Sequence, residues 1–209
     1  MFETLAQDIT RNLADYQPKS RWKGWLLTLT LNSTQAVTLI RLQFWMARHG
    51  LPTLPVAKIL FWMFKIEVSR HAYIGPGLRL PHPMGIIIGP WSHVGANCDL
   101  YADVRLVLAH GVRQGPSLGD GVFMGDGAKA VGPVRIGKGT VVGVSAVVTR
   151  DLPEGVTAAG SPPEFWVRIN KPSCHEHSGR LSVSAVSPGS GHLPEDLSPS
   201  EGSGVRTHR

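Results

Sequence analysis

His82 stands between two prolines, in Leu80-Pro-His-Pro-Met-Gly85, and it is the side chain best suited to proton transfer. An imidazole titrates near neutrality, so it can take a proton from an attacking hydroxyl and hand it on. Spacing alone leaves a plainer role open, the capping of a turn between the prolines. His93 and His110 follow, with Arg113 close behind the second. Three imidazoles converging from neighbouring segments would make a zinc site. Here the spacings are 11 and 17, and His93 directly precedes an apolar position, so it should point outward. His175, His177 and His192 lie in a polar C-terminal stretch and read as incidental. No glycine-rich loop of the P-loop or dinucleotide type occurs, and no nucleic-acid-binding motif is found.

The frame that must hold these residues is written in a six-residue period. Ile88, Val94, Leu100, Leu106, Val112, Leu118, Met124, Ala130, Ile136, Val142 and Val148 are apolar at every sixth position. Gly follows the apolar residue at 89, 95, 119, 125, 137 and 143. A period of six fits neither a helix nor a half-buried strand. It predicts a parallel β-helix in which a short strand and a turn recur and one residue per repeat faces inward. The glycines then serve corners where φ is positive or another backbone runs close. Ile74, Leu80 and Ile86 are also six apart, but Ile88 starts a new phase two residues later. That slip predicts an extra loop around Pro81–Gly85, and loops that interrupt a regular scaffold tend to carry function.

Residues 1–66 read as helices. Phe2, Leu5, Ile9 and Leu13 keep helical spacing, and a broad apolar stripe runs from Ala36 to Trp45 after an N-cap at Asn32 or Ser33. His49-Gly50 and Pro52 end that helix, and a last one is expected from about Pro55 to Ile66. Four of the six tryptophans (Trp22, Trp25, Trp45 and Trp62) fall in this region, where core packing is the simplest role for them. From 171 onward Ser, Gly, Pro and His dominate, which predicts a disordered tail. The expected organisation is therefore helices over 1–66, coils over 67–170 and a tail over 171–209.

The net charge is +6, and the excess lies at the front: residues 1–70 hold 9 Lys and Arg against 4 Asp and Glu. A solvated helical face is the plainer reading; contact with an anionic substrate or a lipid surface is the other. No apolar run reaches the ~18 residues of a membrane span. The N-terminus lacks the basic and apolar regions of a signal peptide. Cys98 and Cys174 are too far apart to suggest a disulfide framework, so a reducing cytoplasm is the expected compartment.

The stretch from Glu67 to Gly89 closely resembles the segment of serine O-acetyltransferases that bears their catalytic histidine. In that family an acidic residue precedes the histidine by fifteen positions and a glycine follows it by three, as Glu67, His82 and Gly85 do here. The resemblance continues through Gly119–Gly132 and Val147–Pro162, and extends weakly to the helix with Arg41 and Trp45. It implies a left-handed parallel β-helix, a trimer and acetyl-CoA as co-substrate without a metal. His82 becomes the general base, and Glu67 the carboxylate that orients it, where the family usually has Asp.

Other positions depart from the family. Gln114-Gly115 stand where it has an Arg-His pair before a proline. His110 and Arg113 would supply an imidazole and a guanidinium from a shifted loop; alternatively, Val112 keeps the period and 107–117 is an ordinary coil. Asp15 is a loose counterpart of an acid that seats serine. Asp126 and Val144, followed by Thr149 and Arg150, match corners that contact coenzyme A, and Arg168 would serve its phosphates. L-Serine is the acceptor the resemblance implies. A sugar or polysaccharide hydroxyl is the alternative raised by the missing pair, and a non-catalytic scaffold is a third.

Overall fold

The computed structural model describes residues 2–14, 16, 29–160 and, as backbone, 165–167. Among the described residues, α1 (Phe2–Leu13), α2 (Asn32–Arg48) and α3 (Leu54–Phe64) come first. Two-to-three-residue strands then wind into three flat faces. The first face stacks β1 (Glu67–Val68), β3 (Ile87–Ile88), β6 (Arg105–Val107), β9 (Lys129–Val131) and β12 (Val147–Val148). The second stacks β2 (Tyr73–Ile74), β4 (His93–Val94), β7 (Ser117–Leu118) and β10 (Arg135–Ile136). The third stacks β5 (Asp99–Leu100), β8 (Phe123–Met124), β11 (Val141–Val142) and β13 (Thr157–Ala159), closed by antiparallel β14 (Phe165–Val167). This is the expected left-handed parallel β-helix.

Pairing shows where the period holds and where it fails. Ser117 pairs Arg135, Phe123 pairs Val141 and Lys129 pairs Val147, each 18 residues on. Glu67 pairs Ile87, Tyr73 pairs His93 and Arg79 bridges Asp99, each 20 on, whereas Ile87 pairs Arg105 at 18. The two extra residues therefore lie between Arg79 and Ile87, as the register slip predicts. A second interruption comes later. His93 pairs Ser117 and Arg105 pairs Lys129, both 24 on, so six extra residues sit between β6 and β7. Val112 belongs to this inserted loop and is 37% exposed, so its place in the six-residue series is coincidental and 107–117 is not an ordinary coil.

Inside, the predicted column from Ile88 to Val148 is buried everywhere except Val112. A second inward column, two residues earlier in each repeat, was not read from the sequence: Ile86, Cys98, Val104, Val122, Ala128, Val134 and Ala146, with Ser92 and Thr140 as its polar members. Its small and polar members hide it among the turns. Burial pushes the Cys98 thiol up to about 11, so it is a packing group and not a nucleophile.

The glycines after the inward residues do not have positive φ; they are close approaches. A Cβ on Gly119 would stand 2.8 Å from the Lys138 nitrogen and 3.0 Å from its Cα, both backbone. Positive φ falls two residues later, at Gly121, Gly127 and Gly139, and at Asn97, Asp103 and Ser145 in other coils. Gly119→Ala is therefore expected to destabilise the protein by about 1–3 kcal/mol through overpacking, read from urea denaturation. An unchanged midpoint would contradict the close-approach account.

A β-helix leaves its first coil with unpaired backbone groups, and α1 and α2 cover that end. Asp8 and Arg41, both buried, form a two-pronged ion pair at 2.7 and 3.2 Å. Arg41 also donates to the carbonyls of Ile74 (2.8 Å) and Gly75 (2.6 Å), and the Leu78 N–H donates to Asp8 (2.8 Å). Asn12 takes the Leu80 N–H at 3.0 Å and donates to Leu78 O at 2.9 Å, while Gln43 donates to Val68 O at 2.9 Å. Arg11 donates to Gly77 O and reaches Asp99 at 3.0 Å. Open carbonyls and amides on all three faces of the first coil thus meet side chains.

Two expectations about the helices need correction. No side chain caps α2: Leu31 is the N-cap, extended at φ −77°, and Asn32 and Ser33 are already helical. Core packing does not hold Trp45 or Trp62, which are 36% and 77% exposed: α2 buries Ser33, Thr34, Arg41 and Gln43 as well as Ala36, Val37 and Ile40, and α3 buries Val56, Leu60 and Phe64, so each Trp falls on an outer face. Trp22, Trp25, Asp15, Arg168 and the tail over 171–209 lie outside the described residues.

Candidate active site

His82 sits in the two-residue insertion, at the corner where the chain passes from the third face to the first. Backbone contacts fix that corner. Met84 N–H donates to His82 O at 2.8 Å, Gly85 N–H to Phe64 O at 3.0 Å, and Asp103 N–H to Met84 O at 2.8 Å. Gly85, at φ +70°, makes the sharp turn that no β-branched residue would take. The exposed imidazole meets Tyr101 edge-on, with ring centroids 5.8 Å apart, and Tyr101 in turn lies 4.9 Å from Phe123. Sequence reasoning missed Tyr101. The available signal was its position directly after inward Leu100, where most other repeats carry Gly.

His82 lines a depression of about 320 Å³ together with Tyr16, Asn32, Ser33, Met63 and Met84. Among its described lining residues there is no Asp, Glu, Lys or Arg. Glu67 is exposed on the first face and opens into a different groove, of about 500 Å³, beneath α3 beside Lys58, Phe61 and Ile87. Among the described residues no hydrogen bond joins Glu67 to His82.

The other singled-out residues divide between two edges of the prism. Asp126 and Val144 occupy the same corner as His82 in later coils, between the third and first faces. They are in register: Ser145 N–H donates to Asp126 O at 2.8 Å, and the Asp126 carboxylate accepts from Ala102 N–H at 3.1 Å, one coil earlier. Val144 is 67% exposed. His82, Asp126 and Val144 thus mark out one edge.

His110 and Arg113 lie on the inserted loop between the first and second faces, the opposite edge of the first face, with Thr149 and Arg150 at the same corner further on. Both His110 and Arg113 are exposed. The loop turns through Val112 N–H to Ala109 O at 3.1 Å and Gly111 at φ +75°, and it returns through Gly115, whose Cα packs on the Ser92 backbone. A single chain therefore presents two half-sets of chemistry on two edges and does not bring them together.

Comparison with known proteins gives these edges a context. A serine acetyltransferase of Synechococcus elongatus is 32% identical over 166 residues, covering 78% of this chain and 67% of that one. A Helicobacter pylori serine acetyltransferase is 40% identical over 98 residues, 46% of this chain and 57% of its own. The chain thus spans about two thirds of the first relative and little more than half of the second. Among solved structures, a Brucella abortus serine acetyltransferase in complex with coenzyme A superposes with a TM-score of 0.70 at 25% identity, covering 78% of this chain and 66% of that one. A soybean serine acetyltransferase complexed with serine gives 0.68 at 25%, covering 79% and 70%. No family model matches.

Proposed function

The chain belongs to the serine acetyltransferase family of acyltransferases, and on that premise we propose that it carries the acetyl group of acetyl-CoA to the hydroxyl of a small acceptor. One observation carries the reading: His82 and the corners assigned to the thioester cofactor, Asp126 and Val144, fall on a single edge of the prism in register. An extended pantetheine arm laid along that edge brings its acyl end toward the imidazole.

His82 takes the hydroxyl proton as the oxygen attacks the thioester carbonyl. The tetrahedral oxyanion, stabilised by backbone N–H groups, collapses with loss of the C–S bond. The imidazolium returns its proton to the leaving thiolate, giving an acetyl ester and free coenzyme A. Glu67 is the proposed orienting carboxylate. It belongs to the same 20-residue coil as His82, and the pairing requires the exposed ring to swing away from Tyr101.

A cyclic homotrimer accounts for the second edge. Because His110, Arg113, Thr149 and Arg150 stand across the first face from His82, the loop of one copy completes the site of the next. Mixing His82→Ala with His110→Ala subunits after joint refolding tests this. Each variant alone is expected to be nearly inactive, and the mixture to regain about a quarter of the wild-type rate, the share of sites that draw an intact histidine from each neighbour. No recovery, or full activity of His110→Ala, would remove the loop from the site.

L-Serine is the acceptor of the family reading. A neutral polyol, such as a sugar, is the second reading, favoured by Gln114 and Gly115 standing where the family carries its Arg-His pair. A site that hydrogen-bonds one acceptor rejects its analogues strongly, so the two readings separate experimentally. Coenzyme A thiol release from acetyl-CoA is to be followed with L-serine, homoserine and free or nucleotide-linked sugars. The account expects release with one hydroxyl class at least ~100-fold above the other. Release with none of them would refute acetyl transfer.

A further inference from the structure

Helix α3 is apolar almost all the way round, yet it buries only the single stripe Val56, Leu60 and Phe64. Among the described residues its outer face has no partner: Ile59, Trp62 and Met63 are 44%, 77% and 58% exposed, and Leu54 at its start is 66% exposed. Lys58 and Lys65 flank this surface, their ammonium groups 6.0 and 5.0 Å from the Phe61 ring centroid. Such an arrangement leaves the cations beside the apolar surface and aimed outward with it.

The sequence leading into this helix is one-sided in charge. From Tyr16 to Ile66 the sequence contains seven Lys and Arg and not one Asp or Glu, along with Trp22, Trp25, Trp45 and Trp62. Exposed Trp, Phe, Leu and Ile beside lysines, with Glu67 in the groove beneath the helix, is the composition of a segment that lies in the interface of an anionic bilayer. An eleven-residue helix is too short to cross one, and among the described residues no helix is long and apolar enough to do so. A self-complementary contact between two copies of this face would set Lys58 and Lys65 of one copy against those of the other.

We infer that the outer face of α3 docks on an anionic membrane surface, with Trp62, Met63 and Ile59 entering the headgroup region and Lys58 and Lys65 meeting lipid phosphates. Met63 also lines the depression that holds His82, and Met84 on the far lip of that depression is 66% exposed. The docked surface therefore adjoins the reacting edge. An acceptor hydroxyl carried on a membrane-anchored molecule would reach the imidazole without leaving the bilayer. The docking itself does not depend on which hydroxyl is acetylated.

Co-sedimentation of the full chain with vesicles tests it, in the absence of acetyl-CoA so that the result stands apart from catalysis. Vesicles of equimolar phosphatidylcholine and phosphatidylglycerol are expected to bind the protein, and pure phosphatidylcholine vesicles to bind it far more weakly. Trp62→Glu should reduce binding at least tenfold, and Lys58→Glu about fivefold or more. Both positions are exposed, so unfolding does not intervene, and unchanged thermal melting of the variants verifies this. Absence of binding, equal binding to both vesicle types, or wild-type binding by Trp62→Glu would overturn the inference. So would a Trp62→Glu variant that changes only the oligomeric state in light scattering, since that result would assign the face to a second copy.

Discussion

Replacing His82 with alanine is expected to lower kcat for acetyl transfer by about 10²–10⁴, the usual worth of a positioned general base. The affinity for acetyl-CoA should be nearly unchanged, because the proposed cofactor edge runs through Asp126 and Val144, and the His82 side chain forms none of the hydrogen bonds that hold it together. Stability should also be unaffected. The corner is held by the backbone of Met84, Gly85 and Asp103, and the exposed ring meets Tyr101 edge-on. The combination is diagnostic: a turn-capping histidine would lose stability on substitution and leave kcat alone. Steady-state kinetics together with thermal melting of the same preparation separate the two roles. A folded His82→Ala variant with wild-type kcat would end the assignment.

The second large effect is expected at the other end of the coil. Asp8→Ala removes the carboxylate from a buried guanidinium and also strands the Leu78 N–H. Breaking one side of a buried pair costs about 3–5 kcal/mol, because the remaining charge stays uncompensated. In a protein of this size the melting temperature should fall on the order of 10 °C. Because Arg41 also holds Ile74 and Gly75, and Asn12 holds Leu78 and Leu80, the damage falls on the coil that leads into the His82 corner. Activity should therefore decline below the melting transition as well. Replacing the whole assembly with matched apolar groups would be far milder. A melting temperature for Asp8→Ala within a degree or two of wild type would show that the helices do not clamp the coil.

The coils were legible because a solenoid repeats one decision many times. The apolar column from Ile88 to Val148 and the slip of two before it both survive in the pairing of Glu67 with Ile87 and of Ile87 with Arg105. Val112 shows the weakness of a periodic argument. A loop of six residues preserves the phase of everything after it, so an insertion of one full repeat is invisible to the period. The inward column at Cys98, Val104 and Ala128 escaped notice because Ser92, Cys98, Ala128, Thr140 and Ala146 break its apolar pattern with small or polar side chains. The clamp was hidden for a different reason: Asp8 and Asn12 occupy ordinary polar positions of an amphipathic helix, and only the coil they cap makes them buried. Trp62 was misjudged because a tryptophan in an apolar run looks like core whichever way it faces. His82 and Glu67 were singled out through the family resemblance and not by spacing alone, and their placement in two separate depressions depends on which way each side chain leaves the coil.

On the proposed function, this edge, with His82 at its head, moves an acetyl group from sulfur to oxygen. The most direct measurement supplies carbon-13-labelled acetyl-CoA with the acceptor that supports thiol release, and identifies the labelled product by NMR. The account predicts an O-acetyl ester formed by the wild-type protein and essentially none by folded His82→Ala protein that still binds coenzyme A. Label appearing on the acceptor at the same rate with both proteins, or only as free acetate with the wild type, would contradict it.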